Sequence, residues 1–174
     1  MSSETFVYQK FFLIGFMGSG KTYWGKKWTK HTGLEFFDID EIVENEQEKS
    51  IAEIFAEDGE DHFRNLETGV LKSLSNTNNI IVATGGGTPC FNDNISWMNK
   101  SGTSIYLQSS PENILKKLVN EKEKRPLIKH LKDEELLFYI TEKIKEREAY
   151  YKQAKIILNV DDLPENYIPE ILSA

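Results

Sequence analysis

The chain is expected to be an α/β protein: a three-layer αβα arrangement in which a five-stranded parallel sheet is covered by helices on both faces. Three observations lead there. The runs KFFLIGF, EFFDID, NIIVATG, TSIYLQS and KIILNV are short, apolar and rich in branched or aromatic side chains, as strands are. Between them lie stretches of the length and polarity pattern of crossover helices, and repeated alternation of this kind implies parallel pairing. The first run leads into the glycine-rich GFMGSGKT, Gly15 to Thr22, and a helix-like stretch follows it. Ligands of such sheets sit beyond the carboxyl ends of the strands, so the chemistry should cluster just after each run.

The composition bounds the function. The 174 residues fit one domain, 1–174, with a substantial core. A net charge of -7, from 28 acidic and 21 basic side chains, disfavours nucleic acid and anionic lipid as partners. Any bound anion must be met by a few well-placed cations. The lone Cys90 forms no internal disulfide, and His31, His62 and His130 show no zinc spacing. No run approaches a membrane span, and the N-terminus lacks the charge and cleavage pattern of a signal peptide. A soluble cytoplasmic protein is expected, and its metal, if it has one, is a hard ion.

After the first strand, Gly15-x4-Gly20-Lys21-Thr22 matches the phosphate-loop pattern in the required strand-to-helix context. Side chains at Gly15 and Gly20 would obstruct the curl of backbone N–H groups around phosphate oxygens. Gly18, Ser19 and Gly20 lie in that curl, Lys21 is placed to reach the β and γ phosphates, and Thr22 to offer its hydroxyl to Mg2+. The guanine-reading Asn-Lys-x-Asp is absent; the nearest stretch, Asn99-Lys100-Ser101-Gly102, lacks the aspartate. ATP is the expected nucleotide.

At the end of the second run, Asp38 and Asp40 stand at i and i+2 in EFFDIDEI. In extended backbone both carboxylates would point the same way, toward the phosphate loop. A helix cap near Glu41 would explain one aspartate and leave the other without a reason. The functional reading gives Asp38 to magnesium through water, and Asp40 to the acceptor hydroxyl as orienter and candidate base.

From Ser50 to Leu74 the pattern reads as two helices, the second with Phe63, Leu66, Val70, Leu71 and Leu74 inward. Arg64 and Glu67 lie on the strip beside it, where a surface ion pair contributes only about 0.3–0.5 kcal/mol. After the third run, Gly85-Gly86-Gly87 marks a place where backbone must approach something closely; three glycines carry an ordering cost that a plain flexible turn rarely needs, and they read as a floor of N–H groups for the acceptor. Asn120 to Glu135 is densely charged and interrupts the helical patterns; it is either a solvated loop or a lid that brings Arg125 over the transferring phosphoryl. In the helix from Asp133 to Tyr151, Leu136, Leu137, Ile140 and Ile144 form the buried stripe and Arg147 continues it. Arg147 must snorkel out or meet an anion there. Arg64 and Arg147 together could clamp a carboxylate, which suggests an acidic acceptor.

These motifs, GFMGSGKT, FFDIDEIVE, SIAEIFAEDGEDHFRNLE, ATGGGT, KRPLI and EREAYY, occur in the order and spacing of the shikimate kinases, which the chain resembles over nearly its whole length. The resemblance implies a P-loop NTPase fold of the nucleoside-monophosphate-kinase type. The strand order would be 2-3-1-4-5, with a substrate-binding segment over 39–74 and a mobile lid over 117–131. It implies transfer of the γ-phosphoryl of ATP to the 3-hydroxyl of shikimate, on the route to chorismate and the aromatic amino acids. By the same resemblance Lys21, Asp40 and Arg125 are catalytic, and Gly18, Ser19, Gly20, Lys21, Thr22 and Arg125 contact the nucleotide. Asp40, Arg64, Gly86, Gly87 and Arg147 contact shikimate, with Glu67 supporting Arg64, while Thr22 and Asp38 serve Mg2+.

Two stretches depart from the pattern. Lys116 and Lys117 stand where many members carry an arginine near adenine, and VDDLPEN after the last strand is acidic where members often carry arginine. A gluconate-type or nucleoside monophosphate kinase would need acceptor motifs other than FFDID and FRNLE. A non-catalytic nucleotide sensor has no use for a carboxylate aligned on an acceptor.

Overall fold

The computed structural model describes residues 9–122 and 128–172. Five parallel strands lie in the order β2-β3-β1-β4-β5: β1 Lys10–Ile14, β2 Glu35–Asp38, β3 Ile80–Ala83, β4 Thr103–Gln108 and β5 Ile156–Asn159. The helices are α1 Lys21–Thr32, α2 Ile39–Gln47, α3 Ile51–Ser73, α4 Asn94–Ser101, α5 Pro111–Val119 and α6 Asp133–Tyr151. Short 3-10 turns cover Leu74–Asn76, Thr88–Cys90 and Glu170–Leu172. Among the described residues no helix is long and apolar enough to cross a membrane.

The sheet is buried because its central strand is apolar on both sides. Along β1, Phe11 and Leu13 join Trp24, Trp28, Ile81, Ile105 and Leu107 in one cluster, whereas Phe12 and Ile14 join the larger cluster with Ile39, Phe63, Leu71 and Ile140. Alternate residues of a strand face opposite layers, so one pentapeptide feeds both cores. The edge strand β5 alternates instead, with Ile157 47% exposed.

Local signals fix the elements around the site. Ser50 and Glu53 form a reciprocal capping box that starts α3, with Glu53 Oε2 2.7 Å from the Ser50 N–H. Gly59, at φ 83° and ψ 171°, breaks α3 into the two helical halves that the pattern anticipates. That conformation is open essentially to glycine alone. At the other end of α3, Lys10 Nζ donates to the carbonyls of Leu74 (2.9 Å) and Ser75 (2.6 Å), and burial lowers its pKa. The stripe of α6 is buried at Leu136 and Ile140 and only partly so at Leu137, Ile144 and Arg147.

One expectation needs correction. The second strand ends at Asp38 rather than continuing to Asp40, and α2 begins at Ile39. Asp38 is the N-cap of that helix in extended backbone, so strand end and helix cap are the same residue. Asp40 therefore belongs to the first turn of a helix, and the alternation argument does not orient it.

Candidate active site

The carboxyl ends of β1, β2 and β3 meet at an open cleft of about 610 Å³, lined by Gly18, Gly20, Lys21, Thr22, Asp38, Asp40 and Gly86. Tyr23, Trp24, Lys117, Glu121 and Val160 line it as well. On its phosphate side, Gly20 caps α1 at φ 91°, and the Ser19 N–H donates to Phe16 O at 3.1 Å to tighten the loop. The start of a twelve-residue helix thus faces the cleft with no acidic residue in its first turn, which favours an anion. Lys21 Nζ lies across the loop, donating to Gly15 O (2.8 Å) and Phe16 O (3.0 Å).

Asp38 links this loop to α2. Its Oδ2 accepts from Thr22 Oγ1 at 2.8 Å, and its Oδ1 accepts from the Asp40 N–H at 3.1 Å. A hydroxyl and a carboxylate in contact are hard oxygen donors of the kind Mg2+ takes. Among the described residues no three His, Cys, Asp or Glu side chains gather as a metal site.

Asp40 is the most perturbed acid near the cleft. Burial is the main cause of its rise to about 7, and the charges of Glu67, Asp38 and Glu44 add to it while Lys21 opposes it. Its Oδ1 is buried and has no hydrogen-bond partner among the described residues. A carboxylate oxygen kept from water without a donor is poised to accept one from a ligand.

Beyond Asp40 stands the glycine segment after β3. A Cβ on Gly85 would collide with Glu67 Oε1 and lie 3.0 Å from Asp40 Oδ1. One on Gly86 would stand 3.5 Å from Arg147 Nη1, and one on Gly87 would come within 2.7–2.8 Å of the Arg64 guanidinium. Asp40, Arg64, Glu67 and Arg147 are therefore brought together around three consecutive residues. None of these glycines has positive φ. Close approach, rather than conformational freedom, is what excludes side chains there, as the run of three glycines suggests.

Arg64 and Glu67 do not form the surface pair that their spacing suggests. Arg64 is 8% exposed and Glu67 1%. Glu67 Oε2 accepts from Arg64 Nη1 at 2.7 Å, and its Oε1 accepts from Thr88 Oγ1 at 2.5 Å. The other edge of the guanidinium, Nε and Nη2, donates to a single oxygen of Glu60 at 3.1 and 2.8 Å. Burial weakens the charge of Arg64, but Glu67 and Glu60 raise its pKa overall. Phe91 and Phe63 lie under the guanidinium, their ring centres 4.5 and 5.3 Å from Cζ. Arg147 rests over Phe16 at 5.7 Å, and Tyr151 Oη donates to Gly86 O at 2.6 Å. Among the described residues neither arginine lines the cleft itself.

The sequence reading misses Glu60, Thr88, Phe91 and Tyr151. Glu60 stands four residues before Arg64, a signal available in the sequence. The others come from segments whose approach is purely tertiary. Arg125 lies outside the described residues.

The shikimate kinase family model matches residues 17–174 of this chain. The shikimate kinase of Azobacteroides pseudotrichonymphae is 40% identical over 169 residues, covering 94% of this chain and 99% of that one. The chain belongs to the shikimate kinase family. The Parabacteroides distasonis shikimate kinase is 39% identical over 167 residues, 95% of this chain and 96% of its own. Among solved structures, Bacteroides thetaiotaomicron shikimate kinase superposes with a TM-score of 0.87 at 34% identity, covering 95% of this chain and 94% of its own. Acinetobacter baumannii shikimate kinase, solved in complex with shikimate, gives 0.82 at 28% identity, covering 95% and 89%. The sheet order 2-3-1-4-5 and the P-loop NTPase fold are those of the family. Shikimate kinases are phosphotransferases that use ATP and act on a small molecule, and this chain is one of that family.

Proposed function

We propose that the chain transfers the γ-phosphoryl of ATP to the 3-hydroxyl of shikimate as a single-domain cytoplasmic monomer that binds neither nucleic acid nor membrane. The observation that carries this reading is the unpartnered Asp40 Oδ1, which shares a cleft with the phosphate loop and lies against Gly85, next to the Gly86 and Gly87 that Arg147 and Arg64 approach. Gly18, Ser19 and Gly20 hold the phosphates with backbone N–H groups, and Lys21 swings from the loop carbonyls to the β and γ oxygens. Thr22 and Asp38 hold Mg2+, which supplies neutralisation of the phosphate charge.

Segment 39–74 takes the acceptor. Arg64 and Arg147 bind its carboxylate as planar forks, and Gly86 and Gly87 let the ring approach the backbone. Asp40 accepts a hydrogen bond from the hydroxyl, turning a lone pair of that oxygen toward the γ-phosphorus. The new P–O bond forms as the bond to the bridging oxygen of ADP breaks, and the hydroxyl proton passes to Asp40. In a loose transition state little proton removal is needed early, so orientation is Asp40's first contribution. Arg125, on the 117–131 lid, is assigned to the transferring phosphoryl by family resemblance.

ADP release measured with shikimate, gluconate and nucleoside monophosphates tests the assignment. Turnover should be confined to shikimate. Tight ATP binding without turnover on any of these acceptors would favour a nucleotide sensor and overturn it.

A further inference from the structure

The Arg64 guanidinium carries two carboxylates, those of Glu67 and Glu60. Glu67 is 1% exposed and its second oxygen is held by Thr88, so it is fixed. Glu60 is different. Its side chain is 53% exposed, and among the described residues its carboxylate bonds Arg64 alone, through one oxygen shared between Nε and Nη2. It also directly follows Gly59, where α3 is broken and where a Cβ would meet nothing within 4 Å.

A third carboxylate brought to this buried guanidinium, even with Arg147 sharing it, finds its hydrogen-bonding edges already taken, by Glu67 at Nη1 and by Glu60 at Nε and Nη2. One of the three must leave, and only Glu60 has both a weak hold and open water beside it. The edge it covers, two roughly parallel N–H groups, is the edge that grips a carboxylate in fork geometry.

We propose that Glu60 is a placeholder for the acceptor's own carboxylate, covering the Nε–Nη2 edge of Arg64 and being displaced when the acceptor binds. The inference rests on the assignment of Arg64 to the acceptor carboxylate. It makes Glu60 a residue that sets specificity: an acceptor without a negative charge has nothing to put in its place, and Arg64 stays neutralised. Glu67 keeps its own hold on the opposite side of the guanidinium, at Nη1.

The test compares wild type, Glu60→Gln and Glu60→Ala with shikimate and with its carboxamide analogue, using Arg64→Lys as control. Both Glu60 variants should lower KM for shikimate, about two- to fivefold for the loss of an exposed competing ion pair. The change should sit in KM rather than kcat, and KM for the carboxamide should not move. A shikimate KM that stays or rises on removing Glu60, or a fall shared equally by the carboxamide, overturns the inference. If Arg64→Lys leaves the shikimate KM unchanged, the acceptor assignment itself has failed, and this is a separate result.

Discussion

Burial and the neighbouring carboxylates of Glu67 and Asp38 push the Asp40 carboxyl up to about 7, and this has consequences for stability as well as chemistry. An acid whose pKa is higher in the folded state holds its proton there after the unfolded chain has lost it. Stability therefore falls as pH rises from about 4 to about 7, and levels off above that. Asp40→Asn should raise thermal stability at pH 8, by an amount on the order of a few kcal/mol, and the gain should vanish near pH 4. Thermal melts of the two proteins across that range check it. The same variant should lower turnover by far more than it weakens ATP binding, and equal losses in both would remove the acceptor role. In the wild type, kcat/KM for the acceptor should climb through an apparent pKa near 7 as Asp40 ionises.

At the scale of the element, α3 depends on its break. Gly59 occupies a backbone region that side-chain-bearing residues avoid, while the space around it is open. Gly59→Ala should thus cost about 1–3 kcal/mol through backbone strain alone. In a chain of this size that lowers the melting temperature by roughly 2–12 °C. An unchanged melt would mean that this backbone conformation is not what the glycine supplies. The break itself was legible, because the apolar stripe restarts at Phe63. The burial of Arg64 and Glu67 was not. Their spacing describes a helix surface equally well, and the wall that covers them, Gly87, Thr88 and Phe91, arrives from more than twenty residues away. Asp40 misled for another reason. Asp38 has extended dihedrals, φ -116° and ψ 118°, while already capping a helix, so a strand pattern read through it runs two residues too far.

For the molecule as a whole, the alternation of strands and helices was visible in composition, and the boundaries of α6 from Asp133 to Tyr151 followed from its stripe. Sheet order was not contained in that pattern; it came from motifs shared with a family. The nucleotide binds only the folded chain, so it should stabilise every element together. At ATP about a hundredfold above its Kd with Mg2+ present, linkage adds about 2.7 kcal/mol. That corresponds to roughly 5–11 °C in the melt. EDTA should remove most of the shift if Thr22 and Asp38 serve a metal, and a shift indifferent to EDTA would refute that role.

Asp38 grips the phosphate-loop helix with one oxygen and the first turn of α2 with the other. A displacement of Thr22 on the nucleotide side would pull, through these two bonds, on the backbone that carries Asp40. If nucleotide and acceptor bind on its two sides, this tether would couple them, and detailed balance would make the coupling symmetric: by whatever factor ATP tightened the acceptor, the acceptor would tighten ATP.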